Sequence, residues 1–150
     1  MRILRLHLQN VHALRNQWTI QFDQFPLYEA GLFAITGPTG GGKSSLLDAM
    51  IVALYGRVPR YGHNTPTELM TRHTAETLIE LDFAVQQGRF RARWNLRRAR
   101  GQATGRVQPA RHELQNLETN QTLDLRSSDV PKEVEKLTGL NMELSLIHIS

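Results

Sequence analysis

The stretch LFAITGPTGGGKSSLLDAM, residues 32–50, constrains the fold more than any other part of the chain. Residues 32–35 are continuously apolar, which is typical of a strand buried on both faces and predicts a central parallel strand. Apolar residues then recur at helical spacing, which predicts a helix from about Lys43 to Tyr55, with Gly56 as its C-terminal cap. A glycine-rich loop therefore joins a buried strand to a helix.

This loop, Gly37 to Ser44, satisfies the pattern G-x-x-x-x-G-K-[ST] and has the required strand before it and helix after it. Its glycines let backbone N–H groups approach a polyphosphate, and the helix dipole favours the negative charge. Lys43 can reach the β- and γ-phosphate oxygens and is the candidate catalytic residue, while the Ser44 hydroxyl is suited to Mg²⁺. The predicted nucleotide-binding residues are Gly37, Pro38, Thr39, Gly40, Gly41, Gly42, Lys43, Ser44 and Ser45.

The segments on either side of the loop predict an added antiparallel sheet. Two N-terminal strands are predicted from alternating apolar residues, and TLIELDFAVQQGRFRARWNLRR predicts a β-hairpin about a Gln-Gly turn. RHELQNLE predicts a further strand, RVPRYGHNTPTELM a connecting loop, and DVPKEVEKLTGL a helix that has Pro131 at its start and Gly139 past its end. The predicted class is α/β, with a P-loop layer and an antiparallel sheet.

Positive charge is concentrated in one segment. The net charge is +4, and residues 88–112 hold eight arginines and no carboxylate; the other 10 basic residues face 14 acidic ones. Arg89, Arg91 and Arg93 share one strand face, about 6.6 Å apart, which is close to the span of two nucleotides along one strand. Arg97 and Arg98 extend the patch. We therefore predict contact with a DNA or RNA backbone, and a solvated strand face without a ligand is the alternative.

The sequence shows no convincing carboxylate to bind Mg²⁺ and no convincing group to position water for ATP hydrolysis. Glu80 and Asp82 lie on one face of TLIELDF, and the alternation predicts that this face is largely exposed to solvent. A half-buried strand is favoured over a metal site. We expect weak ATP binding by this chain alone and no appreciable turnover.

Other features exclude some classes of protein. There is no cysteine, which excludes disulfides and thiolate metal sites, and the six histidines show no ligand spacing. The N-terminal segment has neither a signal-peptide apolar region nor a spanning segment, so a soluble cytoplasmic protein without membrane contact is expected.

Several blocks of the sequence together resemble the N-terminal ATPase part of the SbcC family. These subunits of SbcCD double-strand-break nucleases are related to SMC proteins. The resemblance covers residues 1–142 and rests on MRILRLHLQNVHAL, GLFAITGPTGGGKSSLLDAMIVALYG, LMTRHTAE, RFRARW and LTGLN. The block around the loop, with LMTR downstream, is more specific than a phosphate loop alone.

The resemblance implies the N-terminal half of an ABC-type ATPase head, which a long coiled coil separates from its C-terminal half. It further implies ATP and Mg²⁺ as cofactors, and DNA and an SbcD-type nuclease subunit as partners. The full-length protein would form a homodimer through its ATPase heads and would be cytoplasmic and associated with the nucleoid. Residues 1–143 would form the N-terminal lobe, and residues 144–150 depart from the family pattern as an atypical tail. Val11 and His12 also depart from the pattern, because many relatives have a nucleotide-contacting arginine there.

Two other functions are compatible with the residues. A small P-loop kinase would need a lid with catalytic arginines and an acceptor pocket. A non-catalytic nucleic-acid-binding fragment would use only the arginine patch.

Overall fold

The computed structural model describes residues 1–22, 43–59, 61–62 and 65–142, and of Lys43, Ser44 and Thr67 only the backbone. The described strands are β1 (Arg2–Val11), β2 (Leu14–Gln21), β3 (Glu76–Val85), β4 (Gly88–Arg97), β5 (Arg111–Asn116) and β6 (Gln121–Thr122). The described helices are α1 (Lys43–Tyr55), α2 (Thr65–Leu69) and α3 (Val130–Thr138), with short 3-10 turns at Ala99–Gly101 and Ser127–Asp129.

The described strands form one sheet in the order β2-β1-β3-β4-β5-β6, and every pair in it is antiparallel. The predicted hairpin is confirmed, since β3 and β4 are joined across Gln86 and Gln87, with Val85 opposite Gly88. The N-terminal strand pair and the strand at RHELQNLE are confirmed as well. β1, the first strand, lies between β2 and β3, so the sheet depends on pairing between residues far apart in sequence.

One face of this sheet forms the core with α1 and α3. Cross-strand register places Leu6, Leu81, Ala92 and Leu114 in one row, and all four are fully buried. α1 packs against β1, β3, β4 and α3, and its residues 49–54 are almost completely buried. The helix that follows the phosphate loop is thus fixed to the sheet by apolar burial.

The predicted helix ends are confirmed. α1 ends at Tyr55, and Gly56, at φ +78°, donates its backbone N–H to the Val52 carbonyl at 2.8 Å. Gly139, at φ +70°, closes α3 in the same way with the Glu135 carbonyl. Left-handed backbone at both positions favours glycine, which explains why glycine marks these ends.

Some expectations differ from the structure or lie outside it. The predicted connecting loop at residues 57–70 contains the short helix α2. The predicted strand at residues 32–35 and the atypical tail at 144–150 lie outside the described residues. Among the helices that the structure describes, none is long and apolar enough to cross a membrane.

Candidate functional site

The predicted phosphate site lies at the start of α1. Gly37 to Gly42 are outside the described residues, while Lys43 and Ser44 form the beginning of the helix and Ser45 is half-buried in its first turn. This first turn has no acidic residue, so no carboxylate there neutralises the positive end of the helix dipole or repels an anionic ligand. The described end of α1 therefore fits an anionic group such as a phosphate.

Two hydrogen bonds fix the C-terminal half of α1. The buried His112 of β5 donates from Nε2 to the Ala53 carbonyl at 2.7 Å, and the Tyr55 hydroxyl donates to the Leu140 carbonyl at 2.7 Å. Burial lowers the pKa of His112 to about 4, although the bond to Ala53 acts in the opposite direction. His112 is therefore neutral at physiological pH, and it holds the phosphate-loop helix against the sheet.

The turn between β1 and β2 contacts the first half of α1. Nε2 of His12 lies 3.1 Å from Oδ2 of Asp48, which is on α1 one turn beyond Ser44. The backbone of His12 donates to the Leu69 carbonyl at 2.8 Å, and its own carbonyl accepts from the Thr71 hydroxyl at 2.6 Å. His12 thus joins the turn to both α1 and the LMTR segment.

A cavity of about 510 Å³ opens beside this turn. Its walls are His12, Ala13, Arg15, Glu68, Met70, Thr71 and Arg72. In the sequence, the LMTR block is a mark of the family resemblance and gives no indication of a cavity. The structure shows that Met70, Thr71 and Arg72 of this block line a space whose His12 wall contacts the phosphate-loop helix.

The predicted arginine patch lies on the opposite side of the sheet from α1. Arg89, Arg91, Arg93 and Arg97 share one face of β4, which we call the arginine face, while Phe90, Ala92 and Trp94 are buried in the core as expected. Arg98 is turned differently, because its guanidinium donates to the carbonyls of Thr74 and Gly105 at 3.1 Å each. Arg98 thereby closes the loop that follows β4.

Most cations of the arginine face have carboxylate partners on other segments. Arg91 donates through Nε and Nη2 to the two carboxylate oxygens of Asp82 at 2.7 and 3.0 Å, and its Nε lies 3.8 Å from Glu80. Arg89 pairs with Glu118 at 2.9 Å, and Arg97 with Glu76 at 3.3 Å. The hydrogen bond to Asp82 raises the pKa of Arg91, and the one to Glu118 raises the pKa of Arg89.

Two sequence-based expectations were wrong here. The lack of carboxylates within residues 88–112 does not leave all of these arginines unpaired, because β3 places Glu76, Glu80 and Asp82 beside β4. The acidic face of β3 is not largely exposed either, since Asp82 is only 6% exposed. Asp82 also lies 3.7 Å from Nη1 of Arg5, so this carboxylate sits between two guanidinium groups. The half-buried strand is confirmed, and its two acids are engaged by arginines.

Two arginines on this face differ from the others. Within the described ranges, neither Arg93 nor Arg111 has an ion pair or side-chain hydrogen bond. Both line a small groove of about 50 Å³, together with Asn95, Arg97 and Glu113. Arg111 was not among the sequence candidates, because its position beside Arg93 depends on the pairing of β4 with β5.

Comparisons with known proteins identify a matching family and several similar proteins. A family profile described as an AAA domain matches residues 5–144. The chain is 40% identical to the SbcC component of nuclease SbcCD from Pseudomonas aeruginosa and 38% identical to that from Rhodobacter capsulatus, over 94% and 95% of its length. It is 29% identical, over 94% of its length, to a probable DNA double-strand break repair Rad50 ATPase of Aquifex aeolicus.

The chain corresponds to a small part of these proteins. It spans 13% of the length of each of the three relatives. Among solved structures, it resembles the SMC head domain from Thermotoga maritima with a TM-score of 0.53 and 17% identity, over 89% of this chain and 42% of that one. This likeness shows a P-loop ATPase fold, represented here by its antiparallel sheet and the helices packed on it.

Proposed function

Because the chain belongs to the AAA domain family, we propose that it is the nucleotide-binding N-terminal part of an ATPase head that serves DNA double-strand-break repair. The observation that carries this proposal is a complete phosphate-loop sequence that leads into α1 at Lys43, in a chain similar to SbcC proteins over about 95% of its length. Family membership supports nucleotide use, and the loop supplies the residues for it.

In this proposal the loop binds ATP with Mg²⁺. Backbone N–H groups of Gly37 to Gly42 would bind the phosphates, Lys43 would contact the β- and γ-phosphate oxygens, and Ser45 would add a contact from the first turn of α1. The Ser44 hydroxyl would hold Mg²⁺, which supplies neutralisation of the charge that develops on the phosphates. The burial of residues 49–54 fixes α1, the helix that begins at Lys43, against the sheet.

We propose that binding and hydrolysis are divided between this chain and other parts of a longer protein. Hydrolysis needs a carboxylate for Mg²⁺ and a group that positions water. Of the two acids considered for that role, Asp82 is paired with Arg91, and Glu80 lies on the same sheet face, away from α1. In this proposal the chain alone binds ATP weakly and has no appreciable turnover.

The relatives' names, a subunit of a nuclease and a DNA repair ATPase, support a wider assembly as part of this proposal. The full protein would be a cytoplasmic, nucleoid-associated ATPase that dimerises through its heads, associates with an SbcD-type nuclease and uses ATP to control it on DNA. The arginine face would contribute contacts with the DNA backbone. An exposed basic surface supports such a contact, because neutralisation of phosphates dominates binding to nucleic acids.

The proposal is tested by titrating a fluorescent ATP analogue into the 150-residue chain with Mg²⁺. Lys43→Ala should weaken binding by about tenfold or more, since it removes a charge-assisted contact with phosphate while alanine preserves the helix. Lys132→Ala, on the exposed surface of α3, is the matched control and should bind like the unaltered chain. Equal affinity in the Lys43 variant would refute the phosphate site, and robust single-chain ATPase activity would refute the divided active site.

A further inference from the structure

The cations on the arginine face are not equally available to a ligand. Arg91 is bound by Asp82 through two hydrogen bonds, and Arg89 and Arg97 each have a carboxylate partner. Arg93 and Arg111 have no such partner within the described residues. A ligand that approaches this face can bind these two without breaking an existing ion pair.

Strand register brings the two unpaired arginines together. Arg111 of β5 lies opposite Asn95 of β4, and Arg93 and Arg97 stand two residues to either side of Asn95. Such diagonal neighbours lie roughly 7–8 Å apart on one sheet face, within reach of long side chains. Three guanidinium groups therefore surround the groove of about 50 Å³.

The groove carries an excess of positive charge. Asn95 also lines the groove and is buried, with its amide donating to Glu76 at 2.8 Å. It carries no charge and therefore does not neutralise the arginines. The residues that line the groove carry three positive charges and one negative charge, that of Glu113, which lies opposite Arg93. Outside the lining, Glu76 is paired with Arg97, and Glu80, which also lies opposite Arg93, is 3.8 Å from Nε of Arg91. Like charges this close repel each other, and a bound anion would relieve that repulsion.

We propose that this groove binds a phosphodiester group of a nucleic-acid backbone, with Arg93 and Arg111 as the donors. The inference rests on the proposed DNA contact and narrows it, because Arg89 and Arg91 are assigned to the sheet itself rather than to the ligand. Arginine suits this role, since its planar group can donate two parallel hydrogen bonds to a phosphate. A polyanion is favoured over a single free phosphate because the arginine face continues the cationic surface along β4.

The test measures binding of a fluorescent duplex of about 30 base pairs to the 150-residue chain across a salt series. Arg93→Gln and Arg111→Gln should each weaken binding roughly three- to tenfold and reduce the slope of log affinity against log salt by about 0.9. Arg89→Gln, a matched loss of charge on the same strand face, should change affinity by less than about twofold. Arg57→Gln, in the loop after α1, controls for net charge, and circular dichroism checks that each variant is folded.

The outcomes separate this inference from the proposed function. If Arg89→Gln weakens binding as much as Arg93→Gln, the contact is diffuse and the assigned groove is wrong, although the DNA contact stands. A chain that binds ATP but no duplex overturns both the DNA contact and the groove. Inorganic phosphate at millimolar concentration and polyglutamate are tested as competing anions. If either binds the unaltered chain but not Arg93→Gln or Arg111→Gln, and displaces no DNA, the groove binds another anion and the proposal is wrong. Arg93→Lys should restore the salt slope but only part of the affinity.

Discussion

The two faces of β4 stabilise the sheet by different means. On one face Phe90, Ala92 and Trp94 pack beneath α1 and are almost completely buried. On the other face, four arginines alternate with these residues, and three of them have carboxylate partners. The apolar face gains free energy from burial, whereas the charged face mainly avoids a cost, because exposed ion pairs contribute little.

This difference separates structural residues from available ones. Every described side chain on the apolar face of β4 is used by the core, so none is free for a ligand. On the charged face, three of the four arginines are paired with carboxylates, and Arg93 has no partner in the described part of the chain. The candidates for ligand binding are therefore the arginines whose charge is not neutralised by a carboxylate of a neighbouring segment.

The largest expected effect is on the apolar face. Trp94→Ala removes a side chain that is 2% exposed and should lower the free energy of unfolding by about 4 kcal/mol, since buried aromatic truncations leave cavities. Trp18→Ala is the matched control, because Trp18 is 52% exposed and should cost about 1 kcal/mol or less. Urea denaturation followed by circular dichroism measures both, and similar losses in the two variants would contradict the assignment of the core.

Much of this fold follows from local sequence signals. The bounds of α1 are predicted because the helical spacing of apolar residues and the position of Gly56 agree. The β3–β4 hairpin is predicted because two alternating runs flank a short turn. The position of β1 between β2 and β3 is not predictable in the same way, since it depends on pairing such as Leu6 with Leu81, for which no local turn exists.

The second prediction concerns His112 of β5, a buried polar side chain that lies opposite Trp94 of the apolar face. His112 is 4% exposed, and burial lowers its pKa to about 4 from an ordinary value near 6.5. Between pH 6.5 and pH 4 the imidazole of His112 is protonated in the unfolded chain but largely neutral in the folded one. Protonation therefore favours the unfolded chain, and the free energy of unfolding is highest above pH 6.5 and decreases as the pH falls towards 4. The expected loss between pH 7 and pH 4 is about 3 kcal/mol from this residue.

Unfolding free energies of the unaltered chain and His112→Gln between pH 7 and pH 4 measure this effect. Glutamine can still donate a hydrogen bond to the Ala53 carbonyl but does not titrate, so the variant should lack this part of the pH dependence. His73→Gln, at an exposed histidine, should keep it. An identical pH profile for the unaltered chain and the His112 variant would show that His112 titrates in the folded state as it does in the unfolded one.

Less of the candidate site could be predicted than of the fold. The phosphate-loop residues are recognised from spacing alone, because their role depends on a local loop and helix. The pairing of the arginines was missed, although the hairpin contains a signal for it: a two-residue turn at Gln86 and Gln87 places Asp82 opposite Arg91 and Glu80 opposite Arg93. Arg111 carries no comparable signal, because a long loop separates β5 from β4.

The smallest expected change in stability is on the charged face, at Asp82. Asp82→Asn leaves Arg91 and the buried Nη1 of Arg5 without their carboxylate, and Nη1 has no hydrogen bond within the described structure. Removing one partner of a buried pair costs about 3–5 kcal/mol, and the partial exposure of Arg91 reduces the expected loss to about 2 kcal/mol. Glu118→Gln breaks an exposed pair with Arg89 and should leave the melting temperature unchanged. If both variants melt like the unaltered chain, Asp82 does not compensate the arginines, and Arg91 would join Arg93 among the cations available to DNA.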